Sequence, residues 1–397
     1  MAAIDSGRHH APPRVSLLND PVIRGIFYQI VVAILVVAFF AWIIQNTAQN
    51  LAAQNKTTGF DFLTKTAGFD ISFSLFHWDR TSFYWEAFLV GLTNTLLVAL
   101  IGIVFATMLG FTLGIARLSS NWIISRLATV YIETIRNVPL LLQLFFWYFA
   151  VLKAMPAVRN SLALPFDIFV NQRGLFVPRP MPDEQFSLVV IAFVIAIALS
   201  LAMRFWAKRR LERTGQRFPV VLSAIALLVV IPAVTWILTG ADVAFDPPVL
   251  QRFNFKGGLE LPPEFVALAF GLVIYTAAFI GEVVRAGIQA VSKGQTEAAQ
   301  SLGLKDGDRL RLVIVPQAMR VIVPPLTSQY LNLTKNSSLG AAIGYPELVN
   351  VFAGTALNQT GRAIEIIAMT MAVYLTFSLL TSGIMNWYNA RVALVER

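Results

Sequence analysis

Three sets of polar residues stand out in a chain otherwise suited to apolar surroundings. The run Gly294-Gln295-Thr296-Glu297-Ala298-Ala299-Gln300-Ser301-Leu302-Gly303, followed by Val313-Ile314-Val315-Pro316, sits between two long apolar segments. Two Glu-x-x-Arg pairs, Glu133 with Arg136 and Glu282 with Arg285, lie inside apolar stretches, and Ser328, Asn332 and Lys335 recur at spacings of four and three. None of these sets is a catalytic constellation. The chain has no cysteine, which removes thiolate nucleophiles, disulfides and sulfur metal sites, and its three histidines, His9, His10 and His77, leave no metal site to assign. The chemistry on offer is surface docking, charge neutralisation and polar contact. The first set has the character of a knob that fits a partner.

The elements that position these residues are membrane helices. Hydrophobic residues make up 56% of the chain and charged residues 13%, with a mean hydropathy of +0.66, beyond the range of soluble domains. A span needs about 20 mostly apolar residues. Residues 25–44, 88–116, 187–206, 218–239, 264–284 and 366–387 meet that need, and 127–152 and 318–343 are long enough despite their polar residues, which makes an all-α polytopic membrane protein of eight transmembrane helices. The first segment is too long for a signal-peptide core and no small-residue cleavage site follows it, so a retained anchor is expected. The net charge of +9 fits Lys and Arg collected in cytoplasmic loops beside anionic lipid better than nucleic acid. With both termini cytoplasmic most Lys and Arg fall inside, led by Arg204, Lys208, Arg209, Arg210, Arg213 and Arg217 between the fourth and fifth helices. That topology places 292–316 in the cytoplasm. The outer segments 48–85 and 153–186, the second with Pro165, Pro178, Pro180 and Pro182, are expected to be irregular or short surface helices.

Within the loop, Ser292 is suited to cap a short helix ending at Leu302, with Glu297 and Gln300 on a polar face, and Gly303 supplies a left-handed stop. Asp306 or Asp308 starts a second short helix that Pro316 ends. Glu and Arg three apart share a helix face, so each pair neutralises itself, either for structural neutrality near an interface or as part of a gate. On the seventh helix a polar stripe of Ser328, Asn332 and Lys335 would not face lipid, and Pro324-Pro325 should bend or unwind its start. Lys335 either attracts a substrate carboxylate or pairs with a carboxylate on a neighbouring helix or at the interface. Gly110 and Gly114 form a G-x-x-x-G pair suited to tight helix packing within the chain or across a dimer.

The run Glu297-Ala298-Ala299, then Gly303, then Val313, Val315 and Pro316 resembles the EAA loop of ABC-transporter permease subunits, with valine at both aliphatic positions. The runs Tyr131 to Gln143, Gly281 to Val291, Gly294-Gln295 and Lys335 to Leu339 narrow the resemblance to the polar amino-acid uptake permeases of the MetI-like group, type I importers, across 88–152 and 264–388. The resemblance implies that Glu297 contacts an ATPase groove, that Ala298 and Ala299 permit close packing, and that Gly303 sets the angle between the two short helices, with Pro316 closing the coupling loop. It also implies a second permease subunit, ABC ATPase subunits that use ATP and Mg, a periplasmic amino-acid-binding protein, L-amino-acid substrate and a bacterial inner membrane. No G-x-x-x-x-G-K-[ST] loop is present, so ATP hydrolysis is expected from a separate ATPase chain. The resemblance then implies a permease subunit that is not itself an enzyme, with no cofactor bound by this chain and no catalytic or metal residues. Ser337, in the run after Lys335, joins Lys335, Asn332 and Ser328 as a path candidate.

The chain departs from the shortest members of that group. The expected organisation is a tail, an extra helix and an outer segment in 1–86, a first core part in 87–152, an insertion with two extra helices in 153–263, and a second core part with the coupling loop in 264–397. The enlargement resembles the larger permease subunit of general L-amino-acid or glutamate/glutamine/aspartate/asparagine transporters, and the insertion contacts lipid, the binding protein or the partner permease. The alternative function is an ion-coupled secondary amino-acid carrier, which would use Glu133, Arg136 and Lys335 as coupling charges but has no need of the EAA loop.

Overall fold

The computed structural model describes residues 21–53, 59–216 and 218–392; the polar tail with His9 and His10, Arg217 and the last five residues lie outside the described residues. Among the described residues, seven helices are long and apolar enough to span a membrane, and a bent pair can supply an eighth. They include α1 (Pro21–Ala53), α2 (Tyr84–Arg117), α5 (Phe186–Thr214), α6 (Val220–Thr239), α7 (Pro263–Gln289) and α12 (Ala363–Val392). The seventh is the continuous helical run Asp306–Ile343, made of α9 (Asp306–Arg309), a wide π-type turn over Leu310–Ile314, α10 (Val315–Asn336) and a tight 3₁₀ end over Ser337–Ile343.

The eighth span, expected as one helix over 127–152, is a bent pair. Its two limbs, α3 (Trp122–Asn137) and α4 (Leu140–Phe145) continued by a wide turn to Leu152, meet at 104°. Val138 precedes Pro139 and takes the extended conformation that proline imposes on its neighbour. The Gln143 amide stitches the corner by donating to the carbonyls of Ile135 and Val138, both at 2.9 Å. The Asn121 side chain caps α3, accepting from the amides of Ile123 and Ile124 at 3.0 and 3.3 Å. Amphipathic α3 buries Ala128 and Ile132 and exposes Trp122, Ile123 and Leu127.

The second outer segment is also corrected, because it is built of strands. Strands β1 (Leu162–Leu164), β2 (Ile168–Asn171) and β3 (Gly174–Val177) form an antiparallel sheet completed by β8 (Leu259–Leu261); β4 (Arg179–Pro182) pairs with β5 (Val243–Asp246), and β6 (Val249–Gln251) with β7 (Asn254–Lys256). Of the four prolines that argued against strands, Pro165 and Pro178 fall between strands, and Pro180 and Pro182 lie on β4, which pairs with β5 alone in a two-stranded sheet, where a missing amide donor is tolerated. A core of Val158, Phe176 and Phe255 joins strands from both sides of the α5–α6 hairpin. That pairing puts 153–185 and 241–262 on one side of the membrane, as the alternating topology requires. The same side gathers 59–83 and 344–365 through the Arg362–Asp61 ion pair at 2.8 Å and the Asn94 amide, which donates to the carbonyls of Phe73 and Pro346, both at 2.9 Å.

The core is α2, α7 and α10, drawn together by small residues. A Cβ on Gly110 would lie 2.5 Å from Ile280, one on Gly114 2.7 Å from the Gly281 carbonyl oxygen, and one on Gly287 2.3 Å from Ile322. Gly110 and Gly114 therefore pack within this chain, as their spacing predicts.

Candidate functional site: a loop-end lever and a polar helix face

The loop helix α8 (Lys293–Ser301) follows α7 across a turn of three residues. Ser292 stands at its N-cap in an extended conformation, yet its side chain makes no capping bond, contrary to expectation. Gly303 takes φ +74°, the left-handed stop foreseen, and its amide donates to the Gln300 carbonyl at 2.8 Å. Glu297, Ala298 and Gln300 face outward while Ala299 is buried, so Ala299 packs against its own chain and only Ala298 is free for close approach from outside. Leu302 is 81% exposed, and Leu310 and Leu312 are exposed nearby. A polar helix with one Lys and one Glu, flanked by exposed leucines, has the chemistry of a docking knob.

Pro316 does not end a second short helix. It occupies the first turn of α10, where a missing N–H is harmless, and the π-type turn over Leu310–Ile314 just before it relieves the clash that proline makes with the preceding carbonyls. The loop therefore runs without a break from Asp306 into the spanning helix. The Gln317 amide donates to the Gln295 side chain at 3.0 Å and ties α10 to α8. Pro324 and Pro325 likewise lie inside a continuous helix, so the unwinding expected there is absent.

Glu133 and Arg136 make no ion pair with each other. Glu133 accepts instead from Arg117 of α2 at 2.8 Å, and Arg117 also donates to Glu282 of α7. Glu282 holds Arg285 on its own helix and stands 3.9 Å from Arg136, whose guanidinium lies 5.3 Å from the Phe279 ring centroid. Three arginines and two glutamates thus bind the ends of α2, α3 and α7 nearest α8 into one network. Arg117 was missed in the sequence because it closes α2 and has no acidic neighbour at helical spacing.

Along α10, Val321, Pro325, Ser328, Asn332 and Lys335 form one exposed stripe at spacings of four and three. The Lys335 carbonyl accepts from the Ser338 hydroxyl at 2.7 Å, but its ammonium has no ion pair or hydrogen bond among the described residues, so the intramolecular salt bridge weighed for it does not form. Ser337 is off the stripe: it is fully buried and its hydroxyl donates to the Thr334 carbonyl at 2.7 Å. A second buried polar site also escaped the sequence reading. In the turn after Ile343, Glu347 accepts from the amides of Val349 and Asn350, each at 2.8 Å, and from the Tyr374 hydroxyl at 3.2 Å. Burial pushes its carboxyl up to about 7, against those donors. Asn94 and Thr95, adjacent polar residues in an apolar helix, were its legible signal; Thr95 accepts the Leu348 amide at 3.1 Å.

Residues 194–394 match the family profile described as binding-protein-dependent transport system inner membrane component. The chain is 52% identical to the general L-amino acid transport system permease protein AapQ of Rhizobium johnstonii, over 96% of this chain and 95% of that protein. It is 40% identical to the glutamate/glutamine/aspartate/asparagine transport system permease protein BztB of Rhodobacter capsulatus, over 96% of both. A crystal structure of an amino acid ABC transporter with histidines superposes at a TM-score of 0.46 with 22% identity, covering 78% of this chain and 95% of that one.

Proposed function

Because this chain belongs to the family of binding-protein-dependent transport system inner membrane components, we propose that it moves L-amino acids from the periplasm to the cytoplasm across a bacterial inner membrane. It is a permease subunit of an ABC transporter, not an enzyme. The ion-coupled carrier alternative has no support, since the relatives matched over nearly the whole chain are permeases of amino-acid transport systems.

One observation carries the coupling: the outward face of α8, with Glu297, Ala298 and Leu302, ends at left-handed Gly303 and is tied to both α7 and α10. A separate ATPase, using ATP and Mg, docks on that face. Movement of α8 then passes to α7 through the short turn and to α10 through Gln295–Gln317 and the continuous helix at Pro316. The close contacts of Gly110, Gly114 and Gly287 make α2, α7 and α10 move together. The Arg117 network, with Glu133, Arg136, Glu282 and Arg285, keeps α3 with them.

The stripe of Ser328, Asn332 and Lys335 faces the substrate path and the second permease subunit. An unpaired ammonium on a spanning helix is costly against lipid, and a path that admits amino-acid carboxylates gives Lys335 both water and a counter-charge. A periplasmic amino-acid-binding protein delivers the substrate to the side that holds the strands.

The test is reconstitution with the ATPase, the second permease and the binding protein, followed by uptake of a panel of labelled amino acids. Accumulation that requires ATP is expected. Accumulation driven by an ion gradient without ATP contradicts the proposal.

A further inference from the structure

The inserted α5–α6 hairpin is a separate body with its own landmarks. Both helices pack mainly on each other, and α6 has no buried residue, with Ile237 and Leu238 each 80% exposed. Their outer ends are held level, because β4 pairs with β5 and the Phe186 and Trp236 rings meet at 5.9 Å. At the other end Trp206 meets Phe218 at 5.4 Å, edge to face. Twenty residues separate Phe186 from Trp206, which is ~30 Å of helix, the thickness of a bilayer's hydrocarbon core. The two aromatic pairs therefore mark the two membrane interfaces.

Helix α5 does not stop at the second interface. It continues from Trp206 to Thr214 while the chain folds back so that α6 begins beside Trp206. The projecting turns carry Lys208, Arg209, Arg210 and Arg213, and Arg204 lies half a turn before the aromatic pair. At ~1.5 Å per residue the cations past Trp206 stand roughly 3–10 Å beyond it, within the headgroup layer and its counter-ion zone. Arg204 can extend its head to the same layer along its apolar stem. Lys208 has one weak partner, Glu212 at 3.8 Å, and Arg210 is taken by Gln216 at 2.8 Å and the Trp206 ring. Arg204, Arg209 and Arg213 have no polar partner among the described residues. Exposed Phe205 and Trp206 beside them suit the acyl boundary.

We propose that this cationic end of α5 is a binding surface for anionic phospholipid headgroups of the cytoplasmic leaflet, which hold the α5–α6 hairpin in the bilayer apart from the permease core. The position decides for lipid over a protein partner. An arm whose apolar helix has no buried residue and packs mainly on α5 is surrounded by bilayer, and its charges emerge where that bilayer is negative.

The test is native mass spectrometry of the full chain in detergent, with phosphatidylglycerol or phosphatidylcholine added at equal concentration. The wild type should retain phosphatidylglycerol preferentially, and R204Q/K208Q/R209Q/R213Q should retain it at least ~10-fold less, with phosphatidylcholine unchanged. The charge-keeping variant R204K/R209K/R213K should match the wild type. Equal phosphatidylglycerol retention by the wild type and the glutamine variant overturns the proposal. So does a glutamine variant that keeps the lipid but no longer co-purifies with its ATPase or second permease, which would make the surface a protein interface. Lipid retention needs no transport, so failure here leaves the amino-acid reading untouched.

Discussion

Helices α6 and α7 are both apolar enough to span a membrane, yet half of the most apolar stretch of α7 is buried and none of that of α6 is. The difference lies in residue size rather than hydropathy. Helix α7 presents Gly271, Ala277, Ala278, Gly281 and Gly287 to its neighbours, so α2 and α10 approach until added Cβ atoms would overlap. Helix α6 is Val, Leu and Ile around most of its circumference and meets only α5 closely. In lipid an apolar side chain gains little by leaving acyl chains for another helix, so close packing, not burial of oily surface, decides which helices form the core. The polar groups proposed to function follow the same division: the Arg117 network and the α10 stripe ride on the packed core, and the cations of α5 stand on the unpacked hairpin.

Substitutions can break that contrast. The largest effect is expected for Gly114→Leu, whose side chain would meet the Gly281 carbonyl and Val284; thermal unfolding in detergent should show a loss of at least ~3 kcal/mol or no folded protein. Glu282→Gln comes next. It leaves Arg117, Arg136 and Arg285 without their shared carboxylate, and with that carboxylate partly exposed the loss should be about 2–3 kcal/mol by the same measurement.

Glu347 gives a pH-dependent version of the core test. Its carboxyl is raised from 4.5 to about 7 by burial, so between those values the folded chain binds more protons than the unfolded one. Stability should therefore fall as pH rises through that window, by on the order of 2 kcal/mol, and Glu347→Gln should flatten the profile. The smallest effect sharpens the other side of the contrast. Ile237→Ala on α6 should change stability by less than about 0.5 kcal/mol, and a loss as large as that of Gly114→Leu would mean the hairpin is packed after all.

Much of this was legible in the sequence, for identifiable reasons. Long apolar runs located the spans, Gly303 announced its left-handed stop, and Gly110 and Gly114 announced a close helix contact. What was hidden depended on residues distant in the chain. The partner of Glu133 is Arg117, sixteen residues away on another helix, and helical spacing pointed to Arg136 instead. The strands of the second outer segment were masked by its prolines, and Pro180 and Pro182 read as breakers until β5 is seen to pair with their segment. Pro316 was read as a stop, and Pro324-Pro325 as a bend or an unwinding; the structure places all three inside continuous helix, with a widened turn before Pro316 and no unwinding at Pro324-Pro325.

The central claim is that drive enters at α8 and reaches the substrate path through α7 and α10. Its most direct test is ATP-dependent uptake of labelled amino acid by vesicles holding the complete transporter, comparing the wild type with Glu297→Arg and Gly303→Pro, with the amount of inserted chain measured alongside. Both variants should insert at wild-type levels and lose uptake. Uptake at the wild-type rate in either variant would contradict the account.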